Sequence, residues 1–179
     1  MNYKTIVYIA LLPALLFGCQ KTHEEKPSQN AGLIKGDGGA VINGAPWSAD
    51  AIASLSRKDS NRVGIGLRVE NEYGIVLNIL SFSDIPLTEG KNVLIKNFAG
   101  FDSIPDVTFG FIEADLILKS YFLVEEDTLS YISVDSYDET TREISGQFSV
   151  KMSHFQAPTA AYPDTLYIRN GWYATTISH

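Results

Sequence analysis

Apolar residues recur at every second position through most of the chain. In Arg62–Glu70 (RVGIGLRVE), Val63, Ile65, Leu67 and Val69 alternate with smaller or polar residues, the pattern of a strand with one buried face. Gly74–Phe82 (GIVLNILSF) and Asn92–Phe98 (NVLIKNF) follow the same rule less cleanly. Ala114–Val124 (ADLILKSYFLV) is apolar on both faces for part of its length, which predicts a central strand. Glu125-Glu126-Asp127 then reads as a charged turn and Thr128–Asp135 (TLSYISVD) as the returning strand. A turn near Asp138-Glu139-Thr140 leads into Arg142–Met152 (REISGQFSVKM), where Ile144, Phe148, Val150 and Met152 share a face across Gly146. Thr165–Arg169 and Trp172–Ile177 flank Asn170-Gly171, a dipeptide that favours a type I′ hairpin because both residues tolerate positive φ. Short strands joined by short turns, with no helical spacing after the N-terminal segment, predict an all-β fold. The expected architecture is an antiparallel β-sandwich or barrel-like sandwich of roughly nine to ten strands, preceded by a signal-peptide helix and a flexible tether.

The N-terminal segment obeys a different rule. After Lys4, an unbroken apolar run from Ile6 to Phe17 ends in Leu16-Phe17-Gly18-Cys19. The run has the length of a secretory hydrophobic region and falls short of the ~20 residues of a spanning helix. Leu16 three residues before Cys19 and Gly18 directly before it resemble the recognition pattern of the lipoprotein signal peptidase. The resemblance implies cleavage before Cys19, diacylglycerol on its sulfur and, in most such bacteria, an acyl chain such as palmitate on the new amine. The expected organisation is a signal peptide over residues 1–18, a lipidated cysteine and tether over 19–39, and a single β domain over 40–179. The stretch after Cys19, QKTHEEKPSQNAGLIKGDGG, is too polar to bury enough surface to offset its ordering entropy. Glu24 and Glu25 resemble acidic export signals of surface lipoproteins, so the expected location is the outer membrane, on the cell surface or the periplasmic face.

Charge and reactive residues narrow the function mainly by exclusion. A formal net charge of −7 argues against nucleic acid as a partner. Cys19 is the only cysteine, so an intramolecular disulfide is impossible and, once the thiol carries lipid, cysteine catalysis is too. Of the three histidines, His23 lies in the tether and His179 ends the chain, leaving His154 for any serine–histidine–aspartate arrangement. His154 continues the alternation of Phe148, Val150 and Met152 and reads more simply as a buried strand-end residue. Gly64-Ile65-Gly66 lacks the third glycine and following helix of a nucleotide loop. No zinc spacing is present, and neither Glu125, Glu126, Asp127 nor Asp135, Asp138, Glu139 has the spacing of a calcium loop. No catalytic residue, metal site or cofactor is therefore assigned.

A resemblance adds to this reading. Ile42-Asn43-Gly44-Ala45-Pro46-Trp47-Ser48-Ala49 is similar to the N-G-x-x-W-x-A domain start of small Bacteroidota lipoproteins of unknown function. Gly146-Gln147-Phe148 and Ile168-Arg169-Asn170-Gly171-Trp172 resemble their C-terminal G-x-F strand and N-G hairpin. The resemblance implies an all-β, lipid-anchored envelope protein and offers no catalytic residues. Trp47 reads as a core plug. Asp102-Ser103-Ile104, Asp127-Thr128-Leu129 and Asp164-Thr165-Leu166 resemble a Bacteroidota O-glycosylation sequon, making Ser103, Thr128 and Thr165 candidate modification sites; local turn chemistry is the competing account.

Candidate ligand contacts come from aromatic residues. Asn97–Phe111 (NFAGFDSIPDVTFGF) reads as a Gly/Pro-interrupted loop that caps the domain or forms a binding lip through Phe98 and Phe101. Trp172 and Tyr173 point to opposite faces of the last strand, so at most one of them joins the core there. The leading expectation is a non-enzymatic binding or scaffold module held to the membrane by lipid, with an envelope protein, a glycan or a host molecule as partner. The alternatives are a glycan hydrolase using paired carboxylates and a structural component of an outer-membrane assembly. Replacing the anchor tests the localisation: Cys19→Ser should lose the lipid mass and leave the membrane fraction. A variant that stays membrane-bound and uncleaved at the wild-type mass would contradict it.

Overall fold

A computed structural model describes residues 34–95, 104–113, 116–124, 129–154 and 162–178, within the compact unit Gly32–His179. Eleven strands are formed: β1 (Gly36–Ile42), β2 (Ala45–Leu55), β3 (Arg62–Glu70), β4 (Val76–Pro86), β5 (Gly90–Val93), β6 (Asp106–Glu113), β7 (Leu116–Leu123), β8 (Tyr131–Val134), β9 (Ser136–Tyr137), β10 (Glu143–Ser153) and β11 (Thr165–Ser178). Eight of them close on themselves in chain order. β1, β2, β3, β4, β6, β7, β10 and β11 each pair antiparallel with the next, and β11 returns to β1. The fold is thus an all-β antiparallel barrel, with β5, β8 and β9 added outside the ring. β10 allows this because one of its edges is shared: Ile144 and Ser145 pair with β9, Phe148 and Ser149 with β8, and Met152 and Ser153 with β7. Beyond the start of β1, the end of β11 meets β2 directly, Ile177 beside Ala53 and Ser178 beside Ser54 in parallel.

An eight-stranded ring encloses about the width that side chains can fill. The alternation predicted for β3 and β10 does this here, turning Val63, Ile65, Leu67, Ile144, Phe148, Val150 and Met152 inward. Phe82, Phe109, Tyr121, Phe148 and Tyr173 are the largest buried rings, with Phe82 and Phe148 5.1 Å apart and tilted. Trp47 is half-buried against this core, as expected of a plug; its indole N–H donates to Asn78 Oδ1 at 3.1 Å and its ring meets Phe109 edge-on at 6.2 Å. Asn43 and Gly44, with φ of 48° and 86°, make the two-residue turn between β1 and β2.

Four sequence expectations are revised. Gly36 to Gly39, assigned to the tether, belong to β1. Gly38 and Gly39 are small because the Leu67 side chain on one face and Trp172 on the other leave little room for a Cβ. The stretch read as a loop through Phe111 becomes strand at Asp106, and Phe109 faces the core; residues 96–103 lie outside the described residues. β7 is not central along its length. Leu116 and Ile117 are 68% and 67% exposed, because β7 meets β10 only at Phe122 and Leu123 among the described pairings. Finally, Asn170-Gly171 makes no hairpin.

Instead β11 runs through Asn170-Gly171 as one strand of 14 residues carrying a β-bulge. Arg169 and Asn170 together oppose Ser149, since Phe148 pairs with Gly171 and Val150 with Ile168. Asn170 takes the left-handed conformation, φ 51°, that the bulge requires, and a Cβ on Gly171 would overlap the Phe148 ring. β10 and β1 bind both halves of the strand, so the local turn signal is spent on an extra residue and not on a reversal.

Close packing makes one glycine a sharp test. A Cβ on Gly146 would overlap the carbonyl oxygen of Ser133, which also accepts the Tyr173 hydroxyl at 2.8 Å. Gly146→Ala should cost at least the ~1–3 kcal/mol of an overpacked core, whereas Asn170→Gly should shift stability by under ~1 kcal/mol because glycine adopts the bulge conformation readily. Urea denaturation midpoints check both; a wild-type midpoint for Gly146→Ala would refute the packing account.

Candidate functional site

Of the eight residues offered as lipidation, glycosylation or contact sites, three fall among those described. Tyr173 is 1% exposed and belongs to the core, where its hydroxyl donates to Ser133 and burial pushes its phenol up. Its neighbour Trp172 is the exposed member of the pair, at 47%. Thr165 stands half-buried at the head of β11; its carbonyl accepts from Asn43 Nδ2 at 3.2 Å, while Asn43 Oδ1 accepts the Tyr167 N–H at 2.8 Å. Cys19, Phe98, Phe101, Ser103 and Thr128 lie outside the described residues, as does the acidic run Glu125–Asp127.

The Trp172 indole is laid on the outer barrel wall. Gly39 is its register partner on β1, and a Cβ there would stand 3.2 Å from the indole nitrogen and 3.6 Å from Cε2. A larger residue at 39 would lift the ring; glycine lets it rest on the backbone with its other side open. Beside it runs a groove of about 500 Å³, lined by Asp37, Ser48, Asp50, Arg68 and Asn71 among others. Asn71 is held in place by its own turn, its Oδ1 accepting the N–H groups of Tyr73 and Ile75, each at 3.0 Å.

The charges in the groove are ordered by Lys35. Its ammonium donates to Asp50 Oδ2 at 2.9 Å and to Glu70 Oε2 at 2.7 Å, which brings two carboxylates from different strands to one cation. Arg68 Nη1 approaches Glu70 Oε1 at 3.9 Å. Asp37, exposed, has no cation paired to it among the described residues. An open aromatic face beside the Asp37 carboxylate, the Ser48 hydroxyl and the Asn71 amide N–H groups can stack against an apolar ring face and exchange hydrogen bonds with hydroxyls around its rim.

The other polar clusters have local roles. Asp138 accepts the N–H groups of Thr140 at 2.7 Å and Thr141 at 3.0 Å, and those backbone bonds hold its carboxyl below the usual range. Asp135 accepts from the Ser133 hydroxyl at 2.7 Å and from Gln147 Nε2 at 3.0 Å. Among the described residues, no three His, Asp or Glu side chains are gathered as a metal site. His154 is the buried strand-end residue expected, its side chain 3% exposed and its ring edge-on to Tyr121 at 5.3 Å. Asp164 Oδ1 stands 3.6 Å from His154 Nε2, a pairing that sequence separation concealed. Among the described residues neither imidazole nitrogen has a hydrogen-bond partner, a serine or threonine hydroxyl included. Sequence reading also passed over Lys119, which alternation turns inward between exposed Leu118 and half-buried Ser120.

Comparison with known protein families, with curated proteins and with solved structures finds no match for the chain.

Lys35 gives the groove a measurable pH dependence. Hydrogen bonds to Glu70 and then Asp50 raise its pKa above the ordinary 10.5. A cation whose folded-state pKa is raised contributes stability that is full below the unfolded value and is lost as pH rises through the folded one. The Lys35 ammonium and Asp50 are exposed to solvent and screened, though Glu70 is mostly buried, so the contribution stays within about 1 kcal/mol. The stability gap between wild type and Lys35→Met should therefore be small at neutral pH and close as pH rises above the ordinary lysine value of 10.5. Urea titrations across that range check it, and a gap that widens with pH would contradict the assignment.

Proposed function

We propose that this protein is a lipid-anchored component of the outer membrane whose barrel is a non-catalytic binding module, with a glycan seated on Trp172. The observation that carries the reading is the indole laid over Gly39, with one face open beside a groove of hydrogen-bonding side chains. Sugar rings have an apolar C–H face and a rim of hydroxyls, and this surface complements both. The filled interior supports the same conclusion, because the rings that occupy the barrel leave recognition to its wall. Cys19 supplies the anchor in this reading and the polar stretch after it the tether.

One observation bears on the hydrolase alternative. Asp50 and Glu70 are a carboxylate pair beside the aromatic platform, as glycoside hydrolysis needs. Lys35 donates to one oxygen of each, at 2.9 and 2.7 Å, so its ammonium occupies the place between the two carboxylates that a scissile bond would have to take. The pair serves here to shape the groove, and binding without turnover is the better account.

The two tryptophans make a direct test. Neutral tetrasaccharides (chito-, cello-, malto- and xylotetraose) titrated into the mature protein should change its tryptophan emission, and Trp172→Ala should abolish the response while unfolding within ~0.5 kcal/mol of wild type. Trp47→Phe should keep the response. Silence from every sugar, or an undiminished response in Trp172→Ala, would overturn the reading.

A further inference from the structure

Continuing outward from Trp172 along β11, the wall changes character. Tyr167 is 42% exposed and forms a ridge between two grooves. One, of about 490 Å³, lies toward Val41, Asn43 and Asn170; the other, of about 370 Å³, lies toward Ser149 and Lys151. Tyr167 and Arg169 line both. The Arg169 guanidinium stands 5.5 Å and the Lys151 ammonium 5.8 Å from the Tyr167 ring centroid, and beyond β10 Lys91 of β5 sits 3.8 Å over Tyr131 of β8. None of these three cations forms an ion pair with a described carboxylate. In a chain of net charge −7, three cations resting on tyrosine faces and paired with no described carboxylate are a distinct electrostatic feature.

The bulge determines what this feature can join. Strict alternation would put Trp172 on the opposite face from Tyr167 and Arg169; the extra residue at Asn170 restores it to the same outer face. Two aromatic platforms then lie about 15 Å apart along one strand, with a guanidinium between them. Charge runs in one direction along this line. At the Trp172 end the three carboxylates of Asp37, Asp50 and Glu70 outnumber the two cations Lys35 and Arg68, while Arg169 and Lys151 surround the Tyr167 end.

We propose that this wall binds an acidic oligosaccharide lengthwise along β11, a neutral sugar on Trp172 and a carboxylate-bearing sugar at Arg169 and Lys151. The proposal rests on the reading of Trp172 as a sugar platform and assigns the class of glycan. A neutral sugar suits the Trp172 end because Asp37 would repel an anion and accepts hydroxyl hydrogen bonds. A carboxylate suits the other end because the planar guanidinium can hold both of its oxygens. A chain of about three sugars spans the distance, which explains why the two platforms are separated and not stacked side by side.

The test titrates mature protein with acidic tetrasaccharides that alternate neutral and carboxylate-bearing sugars (hyaluronan and unsulfated chondroitin) and with the neutral tetrasaccharides above, by calorimetry at two ionic strengths. At least one acidic sugar should bind about tenfold tighter than any neutral one and weaken with salt. Arg169→Gln should remove that tenfold preference and most of the salt dependence while leaving neutral binding in place; Trp172→Ala should remove both. Circular dichroism confirms that each variant folds, and Tyr167→Ala supplies a second disruption of the acidic end. If neutral sugars bind as tightly as acidic ones and Arg169→Gln changes nothing, this proposal fails and the Trp172 reading stands. If acidic sugars bind through Arg169 but without Trp172, the Trp172 reading fails and the lengthwise proposal with it. Absence of binding by either set overturns both.

Discussion

The packing of the Phe148 ring against Gly171 is the contact on which the rest of the barrel turns. Gly171 sits opposite Phe148 on β11, and the ring occupies the space that a side chain there would need. To place a glycine at that point and still pair with both neighbours, β11 carries an extra residue, Asn170, in the left-handed conformation. A bulge adds twist to a strand, and β11 is the strand that closes the ring by bonding β10 on one side and β1 on the other. The seam, the largest core rings and the outer aromatic line are therefore set by one local irregularity. Before the bulge, Leu166 and Ile168 face in; after it, Gly171, Tyr173, Thr175 and Ile177 do. The same phase shift that buries Tyr173 puts Trp172 outside.

Small residues play a second, related part. At Gly146 the backbone passes so close to Ser133 that the Tyr173 hydroxyl can reach its carbonyl across the sheet. That hydrogen bond satisfies a phenol deep in an apolar interior, where an unpaired hydroxyl would cost about 1–3 kcal/mol. At Gly39 the absence of a side chain works on the other face, giving the indole of Trp172 a flat seat. Both glycines neighbour β11, so the core and the wall each owe their geometry to what the adjacent strands leave out.

Legibility in sequence followed from how local the determining forces are. β3 was readable to the residue because its inner positions are Val, Ile and Leu and its outer ones are Gly and Arg, a contrast carried wholly within the strand. The Asn43-Gly44 turn was readable for the same reason. Asn170-Gly171 carries the same local signal, and only the strands on either side decide between reversal and bulge. The glycines of β1 have the composition of a linker and acquire meaning through Leu67 and Trp172, residues far away in sequence. Trp172 and Tyr173 could be assigned to opposite faces by parity, since neighbours on a strand always are. The groove could not be foreseen, because Lys35, Asp50 and Glu70 meet from three separate segments and no spacing encodes that encounter.

A filled barrel and an elaborated wall belong together. Closure takes up the edges of the eight ring strands, leaving β5 as an edge outside it, and side chains that fill the ring remove its lumen as a pocket. In the proposed binding role the surface used is the convex outer wall, where rigid aromatic platforms can be fixed at set distances by strand geometry. The barrel then acts as a ruler: β11 holds Tyr167, Arg169 and Trp172 in line, and the strands beside it tune the charge at each end. Such a surface favours an extended ligand over a compact one, since affinity accumulates along its length and no single pocket encloses the whole. It also suits a binding role better than catalysis. A reaction needs a few groups converging on one atom, whereas this wall spreads its chemistry along a strand and ties the carboxylates of Asp50 and Glu70 to Lys35.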